Sequence, residues 1–205
     1  MRTTIVNVGT IVSGDWRQPL TDGDSVSMID GRIDSVGVVS ERSVRDSDVV
    51  IDADGATVCP GLIDSQVHIT FGDYTPRQKT VGYLESYLHG GTTTSISASE
   101  VHVPGRPSDP EGVKALAVAA HKSFLTYRPA GMTVHAGSII IEPGLTDSDF
   151  RDVAAKGVWL AKAGFGRFED PYDYAPYVAA ARKTRLTAIS LPPIRPQAAG
   201  SCRWV

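Results

Sequence analysis

Cysteine is nearly absent, with only Cys59 and Cys202 among 205 residues. Two thiols cannot build a disulfide framework, so the fold must rest on its core rather than on cross-links. Positive charge is not in surplus either. Twenty Lys and Arg stand against 23 Asp and Glu, giving a net charge of -3 and a pI near 5.9, and no basic run forms an electrostatic footprint. That balance removes nucleic acid from the expected partners. No apolar run approaches the roughly 20 residues that cross a bilayer, and the N-terminus has no charged leader followed by an apolar core. A soluble, cytoplasmic protein without a membrane partner is the expectation. What is present is a 41% hydrophobic content, ordinary for a globular chain and enough to bury a sizeable core.

The first part of the chain reads as short strands and tight turns. "TTIVNVGTIV" is followed by "DSVSMIDGRIDSVG", where Asp30-Gly31 suits the positive φ of a two-residue hairpin turn, and "DVVIDADG" adds another strand. From Ala56 strands alternate with helices. "LIDSQVHI" precedes a helix opening near Thr75-Pro76, and "TTTSISAS" precedes a helix over about 109–125 with Ser108 and Glu111 at capping-box spacing. "MTVHAGSI" is a third strand, "TDSDFRDVAAKG" a third helix, "VWLAKAG" a fourth strand, and Asp170-Pro171 opens a fourth helix before "RLTAIS". Alternation of this kind requires a parallel sheet with helical crossovers, so the fold class is α/β. The domain reading is a β-strand module over 1–57, a β/α region over 58–190 and an irregular tail over 191–205. The tail holds three prolines and no helical or strand period, and the expectation is a chain cut short, as by a frame shift.

The stretch "CPGLIDSQVH" carries the chemistry. Residues two apart on a strand share a side, so Asp64, Gln66 and His68 are expected on one face. A small β module followed by "PGLIDSQVH" at the first strand of a β/α series resembles the amidohydrolase superfamily, whose usual motif is Pro-Gly, two apolar residues, Asp, one residue and His-x-His. The likeness covers essentially residues 1 to 190, and "PRQKT" and "ISASEVHVPGRP" bring it nearer to enamidase-like members. The resemblance implies a (β/α)8 TIM-type barrel, of which the first four to five strands are present, behind an N-terminal portion of a β-sandwich. It also implies one or two divalent metal ions, zinc or iron, at the barrel mouth. The activity implied is hydrolysis of carbon–nitrogen, non-peptide bonds in a small-molecule cyclic amide or enamide by metal-activated water.

Here the chain departs from the family, because Gln66 stands where the first histidine of the pair belongs. An amide oxygen is a poorer ligand for zinc than imidazole. Lys162, in "VWLAKAG", falls at the end of the fourth strand, where the family has a metal-bridging residue. Burial would lower its pKa, and the neutral amine could take up carbon dioxide to give a carboxylated lysine. The expected metal residues are therefore His68, Lys162 and Gln66. Arg77 in "TPRQKT" and Glu100, His102 and Arg106 in "SASEVHVPGRP" lie on loops at the active-site end and are the expected substrate contacts, an arginine gripping a carboxylate. His135 could face the same mouth. No residue can be assigned the family's catalytic aspartate, and the fifth strand "LTAISLPP" lacks a histidine. The competing reading is an inactive remnant or interaction module of the same fold. An open half barrel would need a second copy or another chain to cover it, which makes a homo-oligomer an expected state.

Overall fold

A computed structural model describes residues 1–69, 80–101, 103 and 105–190. Arg77, with Gln78 and Lys79, the helix start at Thr75-Pro76, His102 and the tail lie outside the described residues. The chain divides into two units, Met1–Gly61 and Leu62–Val205. Among the described residues no helix is long and apolar enough to cross a membrane.

The first unit contains β1 (Arg2–Val6), β2 (Thr10–Val12), β3 (Leu20–Thr21), β4 (Ser25–Ile29), β5 (Arg32–Gly37), α1 (Glu41–Arg45), β6 (Val49–Asp52) and β7 (Thr57–Val58). Two sheets result, ordered β5-β4-β1-β6 and β3-β2-β7. The Asp30-Gly31 turn joins β4 to β5 with φ of 49° and 75°, the pair of positive angles that lets a two-residue loop follow the strand twist. Val26 from the first sheet and Ile11 from the second meet in a small core with Val8.

The second unit contains β8 (Leu62–Val67), α2 (Thr80–His89), β9 (Thr92–Ser97), α3 (Pro110–Thr126), β10 (Thr133–His135), β11 (Ile139–Ile140), α4 (Asp147–Ala155), β12 (Leu160–Ala163), α5 (Ala175–Lys183) and β13 (Thr187–Ser190). All strand pairs here are parallel, in two three-stranded sheets ordered β10-β9-β8 and β11-β12-β13. Among the described residues no closed barrel is formed. Helix α3 links the packing of the two sheets. Its buried stripe Val113, Ala117, Ala120 and Phe124 follows the spacing of one helix face. Val113 and Ala117 pack with Ile139, Ile141, Ala161 and Phe150, while Ala120 and Phe124 pack with Val67, Met132 and Val134.

Four local expectations are corrected. The single strand read in "MTVHAGSI" is two short strands in different sheets. Gly137 between them, at φ 91°, presses so close to α3 that a Cβ there would collide with the Ala117 carbonyl and with His121. The N-cap of α3 is Asp109 rather than Ser108. Its Oδ1 accepts from the Gly112 amide at 2.9 Å, because Pro110 holds the first helical position and keeps the residue before it extended. The fourth helix opens with a 3-10 turn, Pro171–Tyr174, before α5 begins. The face shared by Asp64, Gln66 and His68 is interrupted, since the β8–β9 register shifts between Asp64 and Val67.

Candidate functional site

The register shift has a local cause and a local remedy. Between Asp64 and Val67, β8 uses one residue more than β9 uses between Ser95 and Ser97. An extra residue in one strand leaves a backbone amide without its ladder acceptor. The Asp64 carboxylate takes that role, accepting from the Gln66 amide at 3.0 Å. The aspartate of the motif is thus committed to shaping the strand end, and His68 emerges one residue beyond β8.

His68 is half-buried, and its Nδ1 lies 3.2 Å from the Ser99 carbonyl oxygen. A carbonyl only accepts, so Nδ1 is the donor in this bond. Ser99 itself is fully buried, carries a φ of 116° and sits just past β9. A serine in that region stores backbone strain of about 1–3 kcal/mol, which accumulates at sites where geometry matters more than stability.

Lys162 is fully buried on β12, and its Nζ has no hydrogen-bond partner among the described residues. Burial pushes the amine below its usual range by stripping its hydration, and no carboxylate among the described residues opposes that loss. Its one described neighbour of note is aromatic, the ring of Phe165, whose centroid lies 5.6 Å from Nζ. The imidazole of His68 meets the same ring edge to face, with centroids 5.6 Å apart and planes at 74°. His68 and Lys162, from the ends of β8 and β12, are therefore brought onto one shared neighbour.

Arg106 joins this neighbourhood through the backbone. Its Nη1 pairs with Glu142 Oε1 at 3.0 Å and its Nη2 donates to the Phe165 carbonyl at 3.1 Å. Both described contacts are internal. Glu100 is buried past β9, its Oε1 3.5 Å from the Ser97 hydroxyl. Gln66 is half-buried beside His68 in sequence, with no described contact that ties it to Lys162. His135 is exposed and packs edge to face on Trp159. Sequence reading missed Phe165, Glu142 and Ser99. The signals were an acid ending the apolar run "SIIIEPG" and an aromatic set between glycines in "AGFG".

The donor set can be judged against a divalent metal. Among the described residues no group of three His, Cys, Asp or Glu side chains converges. One imidazole, one amide and one amine do not complete a tetrahedral or octahedral shell, so these residues alone do not fit a metal ion.

No protein-family model matches the chain. It is 46% identical over 185 residues to the enamidase of Eubacterium barkeri, a match that takes in 89% of this chain and 47% of that protein. The crystal structure of an enamidase, described as a member of the amidohydrolase superfamily, matches with a TM-score of 0.83 at 46% identity over 92% of this chain and 49% of that one. A Xaa-Pro dipeptidase structure shares the fold at a TM-score of 0.57 and 14% identity. The chain spans about half the length of the enamidase it matches.

Proposed function

The chain is a homologue of enamidase and, through it, of the amidohydrolase superfamily, and we propose that the activity it serves is hydrolysis of a carbon–nitrogen bond in a cyclic amide or enamide. The observation that carries the reading is the meeting of His68 and Lys162 on Phe165 at the carboxyl ends of β8 and β12. Strand carboxyl ends are where α/β enzymes build their sites. In this reading β8 to β13 are the opening strands of a (β/α)8 barrel, and residues 1–57 are one part of a β-sandwich. Residues 58–190 then form the barrel portion and 191–205 the tail.

Within the chain, His68 would present an imidazole and Lys162 a dry amine to a reacting group. Glu100, Arg77, His102 and Arg106 are the proposed substrate contacts. His68, Gln66 and Lys162, carboxylated or not, would be this chain's share of a zinc or iron shell whose other donors lie elsewhere in the whole protein. Metal content measured on the purified chain, with turnover of a panel of lactams and cyclic enamides followed by mass spectrometry, tests the proposal. Hydrolysis that is lost in His68→Ala is expected.

A second reading is favoured by one observation, the amide of Gln66 where the related motif has imidazole. In it the chain keeps the fold without turnover. A folded protein, supplied with zinc and with iron, that leaves every substrate of the panel intact decides for this second reading.

A further inference from the structure

We propose that Phe165 is a positioning residue for the His68–Lys162 pair, and that the Arg106–Glu142 ion pair is the brace that holds its ring in place. What the pair is for rests on the hydrolase reading above; where its members stand does not.

Phe165 lies two residues past β12 between Gly164 and Gly166, and Gly164 has a φ of 110°. A glycine-flanked aromatic has little local reason to keep one position. Its fixation comes from residues distant in the chain. Arg106 holds the Phe165 carbonyl at 3.1 Å, and Glu142, fully buried, spends its second oxygen on the Arg167 amide at 2.7 Å. Tyr174 Oη accepts from the Gly166 amide at 2.7 Å and donates to the Gly166 carbonyl at 3.1 Å. Gly166 also runs against the residue that follows β11, where a Cβ would collide with the Ile141 carbonyl oxygen. Three successive residues, Phe165 to Arg167, are therefore tied from outside, and the first of them carries the ring that meets both His68 and Lys162.

The brace spreads each charged group over two partners. Arg106 divides its guanidinium between the carboxylate and the loop carbonyl, and Glu142 divides its carboxylate between the guanidinium and the loop amide. A buried pair that shares the loop in this way is broken by removing either partner. The ring then loses its position over the Lys162 amine, and water gains access to Nζ.

Reductive methylation with formaldehyde and cyanoborohydride, read at each lysine by peptide mass spectrometry, tests access. Lys156 and Lys183 are exposed and serve as internal references. In the parent protein Lys162 should be protected. In Phe165→Ala and in Arg106→Ala its rate relative to Lys156 should rise by about tenfold or more, whereas Phe165→Leu should retain most of the protection. The carbon-bound ring protons of His68, displaced in the NMR spectrum by the facing Phe165 ring, should shift in Arg106→Ala, although both rings are still present. A merely structural arginine would leave that signal alone. If Arg106→Ala unfolds, opening all lysines together, Glu142→Gln is judged by the same two readouts. A folded Arg106→Ala or Glu142→Gln protein with parental Lys162 protection and a parental His68 signal overturns the proposal. Neither readout depends on turnover, so an inactive chain would refute the hydrolase reading and leave this one standing.

Discussion

A buried amine without a described hydrogen-bond partner costs the fold free energy, and the Phe165 ring over Lys162 Nζ offsets only part of that cost. Lys162→Met keeps the stem and removes the polar tip, so the variant should be more stable by about 1–3 kcal/mol in chemical denaturation. A loss of similar size would mean that Nζ has a partner after all. Proteins keep such costs where function requires them. Gln66 offers a complementary test. Gln66→His restores a second imidazole next to His68, and zinc affinity in equilibrium dialysis should rise by about tenfold or more. Unchanged affinity would take position 66 out of any metal shell. Both positions could be noticed in the sequence through the resemblance of "PGLIDSQVH" and "VWLAKAG" to the family's strand ends. The ring that unites His68 with Lys162 could not, since nothing in "AGFG" says which side chains it will face.

Helices α3 and α4 are tied together by Asp149. Its Oδ2 accepts from the Thr146 amide at 2.9 Å and from the Thr146 hydroxyl at 2.7 Å, closing the start of α4, while Oδ1 lies 2.8 Å from Lys114 Nζ on α3. Burial pushes the Asp149 carboxyl up, but the bonds from Lys114 and Thr146 outweigh it and hold the group below its ordinary 3.8. A carboxyl depressed by folding contributes stability that is present above pH 3.8 and is lost as pH falls through the lowered value. Asp149→Ala should cost about 1–2 kcal/mol at neutral pH. Asp149→Asn should flatten the acid limb of the stability curve in thermal melts between pH 2 and 5. An acid limb identical to the parent's would show that Asp149 is not the group titrating there. The α4 start could be anticipated from "TDSD", because capping is a contact within one turn. The break in "MTVHAGSI" could not, because it answers to the crowding of Gly137 against another helix.

The four-stranded sheet of the first unit ends on β6, which among the described residues pairs only with β1 and leaves Val49, Val50 and Ile51 substantially exposed. An apolar strand with an open edge is a template for pairing with another chain. The parent protein should therefore self-associate at high concentration, and Val50→Lys should raise the monomer fraction severalfold in sedimentation velocity. A monodisperse parent would refute this.

Period, turn residues and caps act over a few positions, so the alternation of strands and helices and the Asp30-Gly31 hairpin could be read directly along the chain. Strand-end polar residues could be named for the same reason. The company those residues keep was not written locally. Arg106 finds Glu142 36 positions away and Phe165 59 positions away, and Phe165 in turn brings His68 and Lys162 to a common ring. Contacts across such separations exist only after the helices and sheets have packed, because burial and shape, not sequence spacing, bring those atoms within reach.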